Sequence, residues 1–305
     1  MTKSYQWPEN KRLAMSIVVN FEEGSEYNIK DGDKGMEPVD ELQVYLKKPM
    51  RNYGNESNYQ YGIKEGADRI ISLLDKYDVP ATWTAAGLSL ERAPQIADAI
   101  KRRRDETCSH GYRWTFQFRM DENEERQFIK DAVTSIQKST GKRPLGWLSR
   151  YLLTENTRRL LQEEGFLYHM DDYSADAPFW GAVEGSDEPM IIVPYALDSN
   201  DMKMWVAPSL TPADWLQYAK DTFDVLWAEG LEKPRIMSLG LHLRIIGRPG
   251  RIGAFEQFLE YVNQKEDVWF ATRVQIANHF ATNVASTTFE KSSSTNLSQE
   301  NKWVL

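Results

Sequence analysis

The sequence has one cysteine, four histidines and no long hydrophobic run, and each scarcity excludes a class of protein. A lone cysteine, Cys108, cannot form an internal disulfide, which favours a reducing compartment. No stretch approaches the ~18 consecutive apolar residues that a membrane-spanning helix needs. Residues 1–10 are polar and do not resemble a secretory signal. We therefore expect a soluble cytoplasmic protein without a membrane partner.

Several catalytic motifs are missing as well. The sequence has no G-x-S-x-G nucleophile elbow, no P-loop and no G-x-G-x-x-G, which disfavours covalent serine chemistry and nucleotide binding. Cys108 is an alternative nucleophile because Ser109 and His110 follow it. A free cysteine more commonly packs as a small hydrophobic residue, so we predict a buried strand position for it.

The charge balance excludes a further class of partner. The net charge is −8 and the isoelectric point lies near 5.2, so the surface should repel a phosphate backbone. The three arginines at 102–104 are interpreted as a solvated helix end, where cations favour the helix dipole. We expect no nucleic-acid partner.

Alternating strand-like and helix-like segments predict a parallel α/β fold. Residues 13–21 form an almost continuous apolar run, as expected of a buried strand. Further strands are predicted at residues 81–85, 105–109, 145–148, 166–170, 190–195, 236–241 and 268–271, with helices between most of them. The predicted helices include one from Gly62, one over residues 90–103, and one over residues 121–140 with Asp121 as N-cap, Glu124 three residues later and Gly141 past its end. This pattern is typical of a TIM-like barrel of seven or eight strands.

Segments without this alternation of strands and helices indicate the loops and the domain boundaries. Residues 25–60 are polar and lack sustained periodicity, so we expect a long functional or disordered loop there. Residues 1–282 are predicted to form a single catalytic domain. Residues 283–305 are rich in Ser, Thr and Asn and are predicted to be a flexible tail.

Polar residues cluster where the predicted strands end, which is where parallel α/β folds bind ligands. Three of the four histidines follow strands, whereas His279 lies in the last predicted helix. The candidate site residues at these strand ends are Glu22, Glu23, His110, Trp114, Trp147, Arg150, His169, Asp171, His242 and Arg244. Carboxylates and imidazoles can activate water, and arginine or protonated histidine can stabilise an oxyanion. These residue types favour hydrolysis of an amide-like bond.

Several blocks in this order resemble the polysaccharide deacetylase family. The blocks include NFEEGSE (20–26), SHGYRW (109–114), RPLGW (143–147) and GLHLRIIGRPGR (240–251). They are most similar to the metal-independent bacterial allantoinases within that family. The resemblance implies a distorted TIM-like barrel, a cytoplasmic homo-oligomer (dimer or tetramer) and hydrolysis of a C–N bond in a small amide.

The resemblance also bears on metal binding. Metal-dependent relatives use one aspartate and two histidines, whereas the similar positions here hold Glu23 and Trp114 beside His110. Trp cannot coordinate a metal, and a catalytic zinc usually has three protein ligands. We therefore expect no metal and no other cofactor. The segment at residues 146–153 departs from the allantoinase pattern by carrying more apolar residues and one extra position, which puts allantoin itself in doubt.

The resemblance leads to specific role predictions. Glu22 or Glu23 would be the base, with His110 positioning water or polarising the carbonyl. His242 would be the acid or oxyanion donor. The side chains expected to bind or orient substrate are Trp114, Trp147, Arg150, Asp171 and Arg244.

Two alternatives to this reading remain open at this point. The leading hypothesis is a metal-free hydrolase of a small cyclic ureide, imide or related amide, with a small-molecule substrate as its partner. The first alternative is an N-deacetylase of an amino-sugar polymer such as chitin or peptidoglycan. The second is a non-catalytic binder of a small molecule on the same fold.

Overall fold

A computed structural model describes residues 5–41 and 48–286 of the protein. Within these residues, nine strands form one curved sheet in the order β6-β7-β5-β4-β3-β2-β1-β8, with β9 also paired to β1. The strands are β1 (Leu13–Phe21), β2 (Ala81–Ala85), β3 (Glu106–Ser109), β4 (Gly146–Trp147), β5 (Tyr168–His169), β6 (Phe179–Gly181), β7 (Met190–Ile192), β8 (Arg235–His242) and β9 (Val268–Phe270). The sheet curls into a distorted TIM-like half-barrel, which confirms the predicted fold class.

Strand β1 is the centre of the sheet. All nine of its residues are buried, as its continuous apolar sequence predicts. It pairs in parallel with β2, β8 and β9, and its Asn20 lies opposite His242. The eight predicted strands are all present and parallel, although several are shorter than predicted. The short strand β6, which is antiparallel to β7, was not predicted.

The gap between the two ends of the sheet is bridged by a buried arginine. Arg273 donates to the Ser238 hydroxyl at 3.0 Å and to the Val193 carbonyl at 2.7 Å. It also donates to the carbonyl of Pro194. These bonds join the start of the last helix to β8 and to the segment after β7, so they hold the open side of the half-barrel together.

Nine α-helices pack around the sheet in the described part of the chain. They are α1 (Tyr53–Tyr61), α2 (Ala67–Lys76), α3 (Gly87–Arg92), α4 (Pro94–Arg103), α5 (Glu122–Thr140), α6 (Thr157–Glu163), α7 (Pro212–Glu229), α8 (Pro249–Asn263) and α9 (Arg273–Asn283). A π-helical turn, Gly62–Gly66, joins α1 to α2. None of the described helices is long and apolar enough to cross a membrane.

Two predicted segments differ from the structure. The helix expected from Gly62 begins at Tyr53, after an Asn52 cap that accepts the backbone N–H of Asn55. The segment predicted as one helix from residue 90 is broken at Pro94, because proline starts a new helix more readily than it continues one. The predicted tail lies mainly outside the described residues.

Arginine side chains fix the segment at residues 25–41 against the carboxyl edge of the sheet. Arg92 forms two hydrogen bonds with Asp31, and Arg113 forms two with Asp33. Part of the predicted loop is therefore an ordered strap over the edge where β1 and β3 end. Cys108 is fully buried in β3 as predicted, and burial raises the pKa of its thiol well above the usual range.

Candidate active site

Three strand ends bring Glu22, His110 and His242 into contact. Glu22 follows β1, His110 follows β3, and His242 is the last residue of β8. Strand β1 pairs in parallel with β8 and β2, and β2 pairs in parallel with β3. The carboxylate oxygen Oε1 of Glu22 lies 3.5 Å from Nε2 of His110 and 3.3 Å from Nε2 of His242. All three side chains are buried. One carboxylate therefore faces two imidazoles.

Backbone contact sets the protonation pattern of His110. Its Nδ1 lies 2.6 Å from the carbonyl oxygen of Leu148. Because a carbonyl oxygen only accepts hydrogen bonds, Nδ1 carries the proton. The other nitrogen, Nε2, is directed towards Glu22 and can take up a proton from a reactant.

His242 is held by the buried carboxylate of Asp201. Its Nδ1 lies 2.6 Å from Oδ1 of Asp201, while Oδ2 accepts the backbone N–H groups of His242 at 2.7 Å and Ile246 at 3.1 Å. Burial by itself lowers the pKa of His242, but the negative charges of Glu22 and Asp201 outweigh it and raise the pKa to about 9. His242 is therefore an imidazolium at neutral pH, with Nε2–H directed at Glu22.

Arg244 supplies a second buried cation next to the two glutamates. Its Nη1 lies 2.8 Å from Oε2 of Glu22 and 3.3 Å from Oε1 of Glu23, and its backbone N–H donates to Glu23 at 3.0 Å. The guanidinium carbon lies 4.3 Å from the centre of the Tyr59 ring, within cation–π range. Within the described residues, Nε and Nη2 of Arg244 have no hydrogen-bond partner.

The pKa values of the two glutamates are shifted in opposite directions. Burial raises the pKa of Glu22, but His242 and Arg244 outweigh it and hold the pKa well below its usual range. Burial also raises the pKa of Glu23, the nearby charge of Glu22 adds to this, and Arg244 compensates only in part. Glu22 is therefore ionised and faces the cavity, whereas Glu23 lies behind it against the helix turn at Gly62.

Glu22, His110 and His242 line a cavity of about 60 Å³. The lining residues are Asn20, Glu22, Val39, His110, Trp114, Leu148, Ser149, Arg150, Tyr151, Tyr173, Tyr195, Leu197, Asn200, Met202 and His242. Eight of these residues are aromatic or apolar and four are ionisable, a mixture typical of a small-molecule site. Asn20 and Asn200 both donate to the hydroxyl oxygen of Tyr195, at 3.0 and 2.9 Å, which fixes that wall.

Arg150 lines the cavity but its charge is already paired. Its guanidinium donates to both carboxylate oxygens of Glu37, at 2.8 and 2.5 Å, and to the Trp114 carbonyl at 2.7 Å. It also lies 3.7 Å from the centre of the Trp114 ring. Arg150 therefore joins the strap at residues 25–41 to the cavity wall and stacks on Trp114, so it is not a free substrate cation.

Two other predicted binding residues lie away from the cavity. Trp147 is fully buried and its ring packs edge-on against Phe166 in the hydrophobic core, so the prediction that it contacts substrate is corrected. Asp171 accepts the backbone N–H of Ser149 at 2.7 Å and contacts His169 at 2.6 Å. It therefore positions the backbone of a cavity-lining residue rather than reaching the cavity itself.

Sequence reasoning missed several residues of the site. Asp201 follows the strand predicted at residues 190–195, but it was assigned no role, because its partner His242 is 41 positions away. Glu37 and Tyr59 lay in the segment interpreted as a loop. Tyr151 and Tyr173 carried no motif signal beyond their place after predicted strands.

The residues present do not fit the metal centre of the wider family. The carboxylates of Glu22 and Glu23 are paired with Arg244, and the Trp114 indole has no metal-ligating atom. Across residues 5–41 and 48–286, no group of three His, Cys, Asp or Glu side chains is arranged to hold a metal ion. The position near the glutamates is taken by a guanidinium of the chain itself.

Gly62 keeps the helix turn in contact with this charged cluster. A Cβ atom at this position would lie 2.7 Å from Oε1 of Glu23 and 3.0 Å from the backbone nitrogen of Arg244. We expect Gly62→Ala to destabilise the fold by about 1–3 kcal/mol, because the charged pair must shift. Gly253→Ala in α8 is the matched control, since its Cβ meets nothing within 4 Å. Urea unfolding that finds both variants equally stable would contradict this account.

Comparison with known proteins agrees with the fold and the motif order. The polysaccharide deacetylase family model matches residues 57–168. A Schizosaccharomyces pombe protein assigned by name to the polysaccharide deacetylases is 37% identical over 291 residues, covering 89% of this chain and 91% of the relative.

Two solved structures are also similar along most of their length. The crystal structure of Puue allantoinase is 41% identical, with a TM-score of 0.86 and coverage of 90% of this chain and 92% of that one. A probable polysaccharide deacetylase from Pseudomonas aeruginosa PAO1 is 39% identical, with a TM-score of 0.85 and the same coverage. The chain therefore belongs to the polysaccharide deacetylase family and is a hydrolase of carbon–nitrogen bonds.

Proposed function

We propose that this protein is a metal-independent hydrolase that opens a C–N bond in a small cyclic ureide, imide or related amide. The observation that carries the proposal is the cluster of Glu22, His110 and His242 around one small cavity. It combines a proton acceptor, a proton donor and an anion, with the Arg244 guanidinium fixed behind them. The similarity to an allantoinase supports the same reaction class.

His110 is the base in this proposal. Its Nδ1–H is fixed on the Leu148 carbonyl, so Nε2 is free to take a proton from a water molecule that attacks the carbonyl carbon. Glu22 is a poorer base, because its neighbours hold its pKa well below the usual range. The glutamate instead stabilises the imidazolium that forms on His110. This revises the expectation that a glutamate is the base.

His242 is the acid. Its Nε2–H stabilises the oxyanion of the tetrahedral intermediate and then donates its proton to the leaving nitrogen as the C–N bond breaks. Asp201 holds the ring by its Nδ1–H and keeps it charged at neutral pH. The proton that His110 takes from water restores His242 at the end of the cycle, so the proton count balances.

The size of the cavity favours a small substrate over a polymer. The cavity volume is about 60 Å³, which leaves no room for several linked sugar units, and the strap at residues 25–41 and the Arg150–Glu37 pair border the cavity. An N-deacetylase of an amino-sugar polymer remains the second candidate, because relatives of this chain carry deacetylase names. Such an enzyme needs an open groove for several sugar units.

A turnover screen distinguishes the two candidates. Purified protein is incubated with hydantoin, allantoin, succinimide, a lactam series and acetylated chitin oligomers, and ring opening or acetate release is measured. Hydrolysis of a cyclic amide without acetate release supports the proposal. Acetate release from chitin oligomers without any ring opening refutes it and favours the deacetylase.

Chelation gives an independent prediction. We expect dialysis against EDTA to change turnover of the substrate found in the screen by less than twofold, because imidazolium and guanidinium groups supply the positive charge. Elemental analysis should find less than one bound zinc per ten chains. Activity that disappears on chelation and returns on adding zinc alone would contradict the prediction.

Three earlier expectations stay proposals. These are a cytoplasmic location, assembly into a dimer or tetramer, and a single catalytic domain over residues 1–282. Sedimentation of the purified chain at several concentrations tests the assembly.

A further inference from the structure

The loop after β4 holds two successive residues in a left-handed backbone conformation. Tyr151 has φ 46° and Leu152 has φ 38°, values that are unfavourable for residues with a Cβ atom. Each such residue costs on the order of 1–3 kcal/mol and persists only where its surroundings hold it. The loop is held at its base by Arg150, which is buried and paired with Glu37. The backbone of Tyr151 and Leu152 is therefore strained, and the buried Arg150–Glu37 pair next to it holds this conformation at the mouth of the cavity.

This conformation places Tyr151 at the cavity mouth, together with Tyr173. Both residues line the cavity, although they are 53% and 45% exposed, so each has one face in solvent. Burial, with the charge of Glu22 adding to it, raises the pKa of the Tyr151 hydroxyl. Among the described residues neither hydroxyl has a hydrogen-bond partner. Two phenol groups are therefore available to a ligand.

In the part of the chain that the structure describes, each cation at the cavity is paired with a carboxylate. Arg150 is bound to Glu37, and Arg244 is bound to the two glutamates. The other mouth residues are apolar: Val39, Leu197 and Met202. A substrate carboxylate would enter next to the anionic Glu22 and would meet only cations whose charge is already balanced by a carboxylate, His242 by Asp201 included, so the mouth favours a neutral ligand.

We propose that Tyr151 and Tyr173 form an aromatic clamp that selects neutral, flat ring amides carrying an apolar substituent. The ring amide reaches Glu22, His110 and His242, and the substituent lies between the two phenol rings. Stacked or edge-on aromatic contacts contribute beyond simple burial, and the hydroxyls donate to ring carbonyls. This inference rests on the proposed function for the reaction, and it adds which members of that substrate class are accepted.

The test compares three hydantoin probes: unsubstituted, 5-benzyl and 5-carboxymethyl. For the wild-type protein we expect kcat/KM to be highest for the benzyl probe and lowest for the carboxymethyl probe. In Tyr151→Ala, KM for the benzyl probe should rise about tenfold while its kcat changes less than threefold. Tyr151→Phe, which keeps the ring, should retain most of the preference. Tyr218→Ala, an exposed tyrosine of α7 outside the cavity, is the matched control.

Binding of the three probes is measured in parallel by calorimetry, so that the proposed clamp and the proposed reaction are tested independently. If the benzyl probe binds tightest and Tyr151→Ala weakens it, but nothing is hydrolysed, the clamp stands and the reaction proposal fails. If ring opening is found without preference for the benzyl probe, or with preference for the carboxymethyl probe, the clamp is refuted. Absence of binding of every neutral probe also refutes it.

Discussion

Replacing His242 with asparagine is expected to lower kcat by about 10²–10⁴-fold, the range for loss of a general acid. Asparagine keeps a nitrogen donor near the position of Nδ1, so its bond to Asp201 can persist, but it has no equivalent of Nε2. The variant therefore loses the proton donor while the surrounding carboxylate stays paired. KM should change far less than kcat, because the lost interaction acts chiefly in the transition state.

His279→Asn is the control for this variant, since His279 lies in α9 and contacts the carbonyl of Gln6 outside the cavity. It should retain full activity. Circular dichroism and thermal unfolding of both variants separate lost chemistry from lost folding. A His242→Asn protein that folds normally and keeps more than a tenth of wild-type kcat would remove His242 from the role of acid.

The pH dependence of the wild-type enzyme provides a second readout for the same residue. The pKa of His242 is raised to about 9, so the proton needed for catalysis is present at neutral pH and is lost as the pH rises through that value. We expect kcat/KM to fall tenfold per pH unit above about 9. The same group also stabilises the fold below its unfolded pKa, near 6.5, and this contribution disappears as the pH rises through about 9.

Local sequence signals predicted most of the fold. The buried strand β1 follows directly from its apolar run, and the helix α5 follows from Asp121, Glu124 and Gly141. The structure has a capping box between the first two residues and a left-handed glycine at the third. Such signals lie within a few residues of the element that they set, so one sequence is enough to find them. The onset of α1 was missed, because its residues carry no apolar stripe.

The location of the site was predictable from the sequence, but the pairing of its side chains was not. Strand ends in a parallel sheet must meet at one edge, and Glu22, His110 and His242 do so. Pairing between distant side chains has no sequence signal: Arg150 and Glu37 are 113 positions apart. Trp147 was misplaced for the same reason. Its position at a strand end predicted a side chain at the rim of the sheet, but contacts with distant residues such as Phe166 hold it in the hydrophobic core.

The buried charges of the site form one balanced set. Glu22 pairs with His242 and Arg244, Asp201 pairs with His242, and Glu23 contacts Arg244. Charges in this surrounding are tolerated only when each has a partner at hydrogen-bond distance. The cluster is therefore sensitive to removal of a single member, and Arg244 contacts two of the others.

Arg244→Met is accordingly expected to destabilise the protein by about 3–5 kcal/mol at neutral pH, the range for breaking a buried ion pair from one side. Methionine retains much of the packing against Tyr59 but leaves two neighbouring glutamates without their guanidinium. Loss of the guanidinium raises the folded-state pKa of both glutamates, and that of Glu23 already lies above its usual value of 4.5. Stability of the variant should be greatest below that pH and should decrease as the pH rises through the raised values. Urea unfolding between pH 5 and 8 measures this slope.

The double variant Arg244→Met with Glu23→Gln tests the electrostatic cause, because it removes one of the stranded carboxylates. We expect it to recover at least 1 kcal/mol relative to Arg244→Met and to flatten the pH slope. Lysine at position 244 is the charge-conserving comparison, and it should restore part of the stability while losing the fixed geometry of the guanidinium. If methionine and lysine destabilise equally, and neither variant has a pH slope, Arg244 acts through packing alone. In that case the guanidinium does not hold the two glutamates by charge.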